Sequence, residues 1–152
     1  MPEDVRDRTA TAVARPGAGL PLAALLIGLW AIVPPYLALF GRLDVQSGTV
    51  EFVDHAVPGF VVLVAALMGY LQLRKAEPSQ LVLFVGGLVI ILAGFWMFST
   101  HYGLITQNRQ GIVPFGRMAW HTAPGIAVIV VGVVWTARFW STDDGDQPDR
   151  AD

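Results

Sequence analysis

The chain has no cysteine among its 152 residues. Disulfides, thiolate metal sites, iron–sulfur clusters and cysteine nucleophiles are therefore excluded together. Charge is scarce as well: only 14% of residues are Asp, Glu, Lys or Arg, and the formal net charge is -2. So little charge, with a negative balance, offers nothing to a nucleic-acid backbone. The distribution says more than the amount. Residues 20–40, 56–73, 81–100 and 119–137 contain no Asp, Glu, Lys or Arg at all. Ionisable groups inside a membrane span usually mark ion or proton paths, and hydrolytic sites need paired carboxylates or a Ser/His/Asp set. The apolar runs hold neither. Transporter, proton-relay and hydrolase functions are disfavoured, and a non-enzymatic protein without a cofactor is expected.

What is present is apolar. Hydrophobic residues make up 54% of the chain, with a mean hydropathy of +0.54. Each of the four runs is about 18–21 residues long, which as a helix spans the roughly 30 Å hydrocarbon core of a bilayer. The expectation is an all-α integral membrane protein with four transmembrane helices, the lipid bilayer being its first partner. The first run is broken by Pro34-Pro35 and is too long for a signal-peptide core, so it is read as a span. Residues 1–19 and 141–152 are polar and rich in Asp, Arg, Gly and Pro, and read as disordered tails.

The chain also repeats itself at a fixed offset of 66 residues, without a gap. Gly28, Trp30 and Tyr36 recur as Gly94, Trp96 and Tyr102; His55, Pro58 and Gly59 recur as His121, Pro124 and Gly125. Matches in Trp, Tyr, His and Pro are informative where matches in Leu and Val are not. Residues 20–75 form one two-helix unit, 76–80 a cytoplasmic linker, and 81–140 the second unit. With two spans per unit, both copies enter the membrane in the same sense. The copies should then be related by a pseudo-twofold axis along the membrane normal, unlike inverted transporter repeats. The outer loops are placed at residues 41–54 and 102–118. Pro58 and Pro124 are assigned to first helical turns, where a missing N–H is harmless. Gly59 and Gly125 are assigned to close helix contacts, and Ala24/Gly28 and Ala65/Gly69 are further small-residue pairs. Trp30 and Trp96 are expected to face the bundle, Trp135 and Trp140 the inner interface and Trp120 the outer one.

The segment G-L-W-A-I-V-P-P-Y (residues 28–36) resembles the SPW-repeat family of small membrane proteins, with Pro35 and Tyr36 in the places of that family's Pro and Trp. The second copy has His101-Tyr102 there. The resemblance covers residues 20–137 in layout. It implies two-helix repeats and carries no activity with it.

Three histidines are the only candidates for a site: His55, His121 and, near them in depth, His101. Imidazole is the commonest protein metal ligand. From sequence the pair sits at loop–helix junctions with no duplicated carboxylate beside it, and is read as hydrogen-bonded at the outer interface. The leading expectation is a scaffold, accessory subunit or self-associating module of a larger membrane complex. The alternatives are a cofactor-binding subunit with haem, quinone or metal at the histidines, and a lipid or small-molecule carrier using the bend at Pro34-Pro35.

Lys and Arg set the orientation. Seven (Arg6, Arg8, Arg15, Arg74, Lys75, Arg138, Arg150) fall on the side of the termini and three (Arg42, Arg109, Arg117) on the other. Both termini are expected in the cytoplasm of a cell whose plasma membrane the chain crosses. Because the chain lacks cysteine, Ser47→Cys and Gln110→Cys should each label with an impermeant maleimide from outside intact cells, and Ser79→Cys should not. Labelling at Ser79 alone would reverse the topology.

Overall fold

The computed structural model describes residues 19–32 and 52–140. Four α-helices follow one another: α1 (Gly19–Ile32), α2 (Val57–Leu73), α3 (Gln80–Arg109) and α4 (Phe115–Trp140), with a π-helical turn, Phe52–Ala56, leading directly into α2. Three helical stretches are long and apolar enough to cross a membrane: Val53–Leu73, Gln80–Arg109 and Phe115–Trp140. The described part of the first predicted span, α1, has 14 residues. Pro34, Pro35 and Tyr36, and with them the predicted bend and the family motif, lie outside the described residues.

The helices form a ring in which α1 packs on α2 and α4, and α3 packs on α2 and α4. Small residues line the inside. On α3 the buried positions are Leu83, Gly87, Ile90, Ala93, Gly94, Met97 and His101, a stripe at helical spacing. Large side chains such as Phe60, Leu81, Leu92 and Phe95 point outward and are half or more exposed. Lipid tails are as apolar as a protein core, so burial of large side chains does not drive these helices together; close backbone packing does.

Two glycine pairs bring backbone against backbone. A Cβ on Gly28 would lie 3.2 Å from the carbonyl oxygen of Gly59, and a Cβ on Gly59 3.2 Å from that of Gly28. Gly94 and Gly125 repeat the arrangement across α3 and α4, at 3.0 and 3.1 Å. Farther along, the Trp135 ring lies against Gly69, and its indole N–H donates to the Leu83 carbonyl at 2.7 Å.

Several expectations are corrected. The connection expected at residues 102–118 spans only residues 110–114. Helix α3 runs on past Tyr102 because its polar end, T-Q-N-R, continues the helix after the apolar run has stopped. It ends where Gly111 takes φ +73°, with Gly111 N–H on the Asn108 carbonyl and Asn108 Nδ2 donating to the Val113 carbonyl. Since α4 starts at Phe115, Pro124 lies in the helix interior and not in its first turn; Pro58 does occupy the start of α2. Trp96 is 48% exposed and faces away from the bundle, because the Gly94/Met97 stripe holds the inward face. Trp135, expected at an interface, is fully buried with its N–H satisfied.

Gly125→Ala would put a Cβ 2.8 Å from the Phe98 backbone nitrogen. Backbone cannot yield cheaply, so the variant should lose about 1–3 kcal/mol. Gly103→Ala, with open space around it, should be neutral or slightly stabilising. Thermal unfolding in detergent compares the two; equal effects would contradict the packing.

Candidate metal centre

His55, His101 and His121 come from three different segments and converge at the end of the bundle nearest the 110–114 loop. Each is placed by local geometry. His55 lies in the π-helical turn ahead of Pro58. Pro58 has no N–H to donate, and its ring crowds the preceding turn; a wider turn relieves that crowding and aims His55 inward. His101 occupies the inward stripe of α3, one turn beyond Met97 and two beyond Gly94. It lies about 32 Å along the helix from Gln80, at the level where a hydrocarbon core ends. His121 precedes Pro124-Gly125 on α4, one turn from the Gly94–Gly125 contact.

The ligand-capable nitrogens of the three rings all lie within 4.8 Å of one another. His55 Nε2 is 3.1 Å from His101 Nε2. Ring centroids are 4.5 Å apart for His55–His101, 5.4 Å for His101–His121 and 5.7 Å for His55–His121. His55 is 2% exposed and His101 9%, while His121 is half-buried.

The other nitrogen of His101 is accounted for. Nδ1 is 2.9 Å from the Met97 carbonyl oxygen, which can only accept, so Nδ1 carries the proton and Nε2 is turned toward His55. The Thr100 hydroxyl donates to the same carbonyl at 3.1 Å and sits 3.0 Å from Nδ1. A ring N–H held by a backbone carbonyl is one of the ways ligating histidines are oriented. The expected placement of His55 and His121 at loop–helix junctions is corrected: His121 lies within α4, as His101 lies within α3, and His55 is in the π-turn that runs into α2. The orienting acceptor is the carbonyl of Met97, not a carboxylate.

These rings suit an ion better than a macrocycle. Two imidazoles on one tetrahedral zinc, each about 2.0–2.1 Å from it, have their nitrogens about 3.3 Å apart. The His55–His101 pair is already at that spacing. Bringing the widest separation from 4.8 Å to that value asks for a shift of about 1.5 Å, within reach of a side-chain rotation of the less buried His121. Haem ligated by a pair of these histidines would need the two rings on opposite faces of a porphyrin, but His101 and His121 are stacked on each other with planes 13° apart.

Elsewhere the interior is closed. Among the described residues the buried polar side chains are His55, His101, Thr122 and, toward the other end of the bundle, Gln72; the buried core between them is Val62, Ala66, Ile90, Met97, Val128 and Trp135. No polar file of described residues joins the two ends. A groove of about 590 Å³ between α2 and α3 is lined by residues including Phe60, Val64, Met68, Leu81 and Val85, with no polar side chain to recognise a ligand. It is on the outward flank, where an acyl chain would lie.

Of the other residues singled out from sequence, Gly28, Gly59, Gly94, Gly125, Pro58 and Pro124 are buried beneath the triad. Trp30 packs edge-on against Trp120, centroids 6.2 Å apart, while Trp96 and Tyr102 are exposed. Comparison with known proteins adds no relative: no family model matches the chain, and no curated protein or solved structure does.

Proposed function

We propose that this chain is a metal-binding membrane protein that holds a transition-metal ion on His55, His101 and His121. The observation that carries the proposal is the convergence of three imidazoles, from three segments, to within 4.8 Å. The His55 and His101 nitrogens face each other at 3.1 Å, close to the spacing of two imidazoles on one ion, and a scaffold or accessory module has no need of three such rings. An all-nitrogen donor set without thiolate or carboxylate fits Zn²⁺, Cu, Ni²⁺ or Fe²⁺ and disfavours Mg²⁺ and Ca²⁺, which take oxygen ligands. The assigned role is binding, not turnover.

Three further readings are part of the proposal. The reciprocal Gly28–Gly59 and Gly94–Gly125 contacts support two tandem hairpins related by a pseudo-twofold axis, near which the repeat-equivalent His55 and His121 would lie. The Lys/Arg distribution supports cytoplasmic termini in a plasma membrane, which puts the triad on the outer side. Membership of the SPW-repeat family rests on the motif residues alone, and association with further copies or a larger complex on the apolar flanks.

Purified protein saturated with Zn²⁺ and freed of excess should retain about one ion per chain, as three-histidine zinc sites do. His101→Phe keeps the ring volume and removes the central donor, so this variant should fold and lose the ion. Equal retention by wild type and variant, or no stoichiometric metal in the wild type, would contradict the proposal.

A further inference from the structure

Three neutral imidazoles bring no negative charge to a divalent ion. The apolar residues beneath them cannot supply any, and a buried uncompensated charge is expensive. The nearest charged side chain on α4 makes the deficit larger. Arg117 lies four residues before His121, one helical turn away on the same face, and is half-buried. Among the described residues the carboxylates are Asp54 and Glu77. Glu77 is in the turn between α2 and α3, at the opposite end of the bundle, and Asp54 is not one of the converging groups.

A site for a bare cation would not keep a guanidinium beside it. A site for a cation with an anion on it would. Three protein donors leave the fourth tetrahedral position open, and the open side is that of His121, the least buried of the three. Resting on the metal reading above, we infer that a small oxyanion with two free oxygens, as a carboxylate or a phosphodiester has, completes the site by binding the ion through one oxygen and the Arg117 guanidinium through the other. The planar fork of Arg matches the two oxygens of such a group, which a lysine ammonium cannot do. The same chemistry is available from a free carboxylate and from a lipid headgroup phosphate.

Co²⁺ in place of Zn²⁺ makes the coordination visible as absorption bands in the visible range. With Co²⁺-saturated protein in detergent, acetate and a short-chain phosphatidylglycerol are titrated separately, to tell a free carboxylate from a lipid phosphate. Saturable band shifts with either one are expected in the wild type. In Arg117→Gln the affinity for that anion should fall on the order of 10- to 100-fold, the worth of charged hydrogen bonds. Co²⁺ affinity without anion should stay unchanged or rise, because a like charge has been removed. Arg117→Lys, which preserves the charge if the Gln variant fails to fold, should bind the anion more weakly than wild type. Arg109→Gln, two turns beyond the triad on α3, should behave as wild type. Anion affinity equal in wild type and both Arg117 variants overturns the inference, as does a wild-type spectrum that neither anion moves, while the metal site itself stands. Failure of both Co²⁺ and Zn²⁺ to bind overturns the two readings together.

Discussion

Inside a bilayer, helices gain little from hiding apolar side chains, and their association depends on how closely backbones can approach. Two glycine pairs meet that constraint here. Gly28 with Gly59 locks α1 to α2, and Gly94 with Gly125 locks α3 to α4, each with the carbonyl oxygen of one glycine 3.0–3.2 Å from where the other's Cβ would be. The consequences reach the histidines. His55 is one turn from Gly59, His121 one turn from Gly125, and His101 two turns from Gly94. Rings that must come within a few ångströms can do so only if their helices already touch just below them. The spacing of the triad is therefore inherited from glycine contacts that carry no chemistry of their own.

The opposite half of the bundle is made differently. Trp135 reaches across to Gly69 and ties its N–H to the Leu83 carbonyl. Gly69 and Trp135 occupy equivalent positions of the repeat, so a glycine in one copy makes room for an indole in the other. Between this plug and the triad the buried side chains are apolar. The arrangement is a closed-bottomed cup holding three imidazoles, which favours retention of an ion over its passage.

Much of this was legible in the sequence. Uncharged runs of the right length identify membrane helices, and the 66-residue register picks out both glycine pairs and His55 with His121. The register does not account for His101, which joined the other two as a candidate by depth alone. Its equivalent is Pro35, so it has no partner in the repeat. Its helical phase carried the missing signal, since His101 continues the Leu83, Gly87, Ile90, Gly94, Met97 stripe that faces inward. Hydropathy also misplaced the end of α3, because a helix leaving the membrane turns polar without ceasing to be a helix. A missing neighbouring carboxylate counted against ligation, yet the carbonyl of Met97 orients His101, and no sequence pattern advertises a backbone acceptor.

X-ray absorption at the zinc edge of the metal-loaded protein tests the central claim most directly. The account predicts a first shell dominated by three nitrogens at about 2.0–2.1 Å, with the outer-shell scattering of imidazole rings, completed by one oxygen ligand. A shell made of oxygen with one imidazole or none would contradict it.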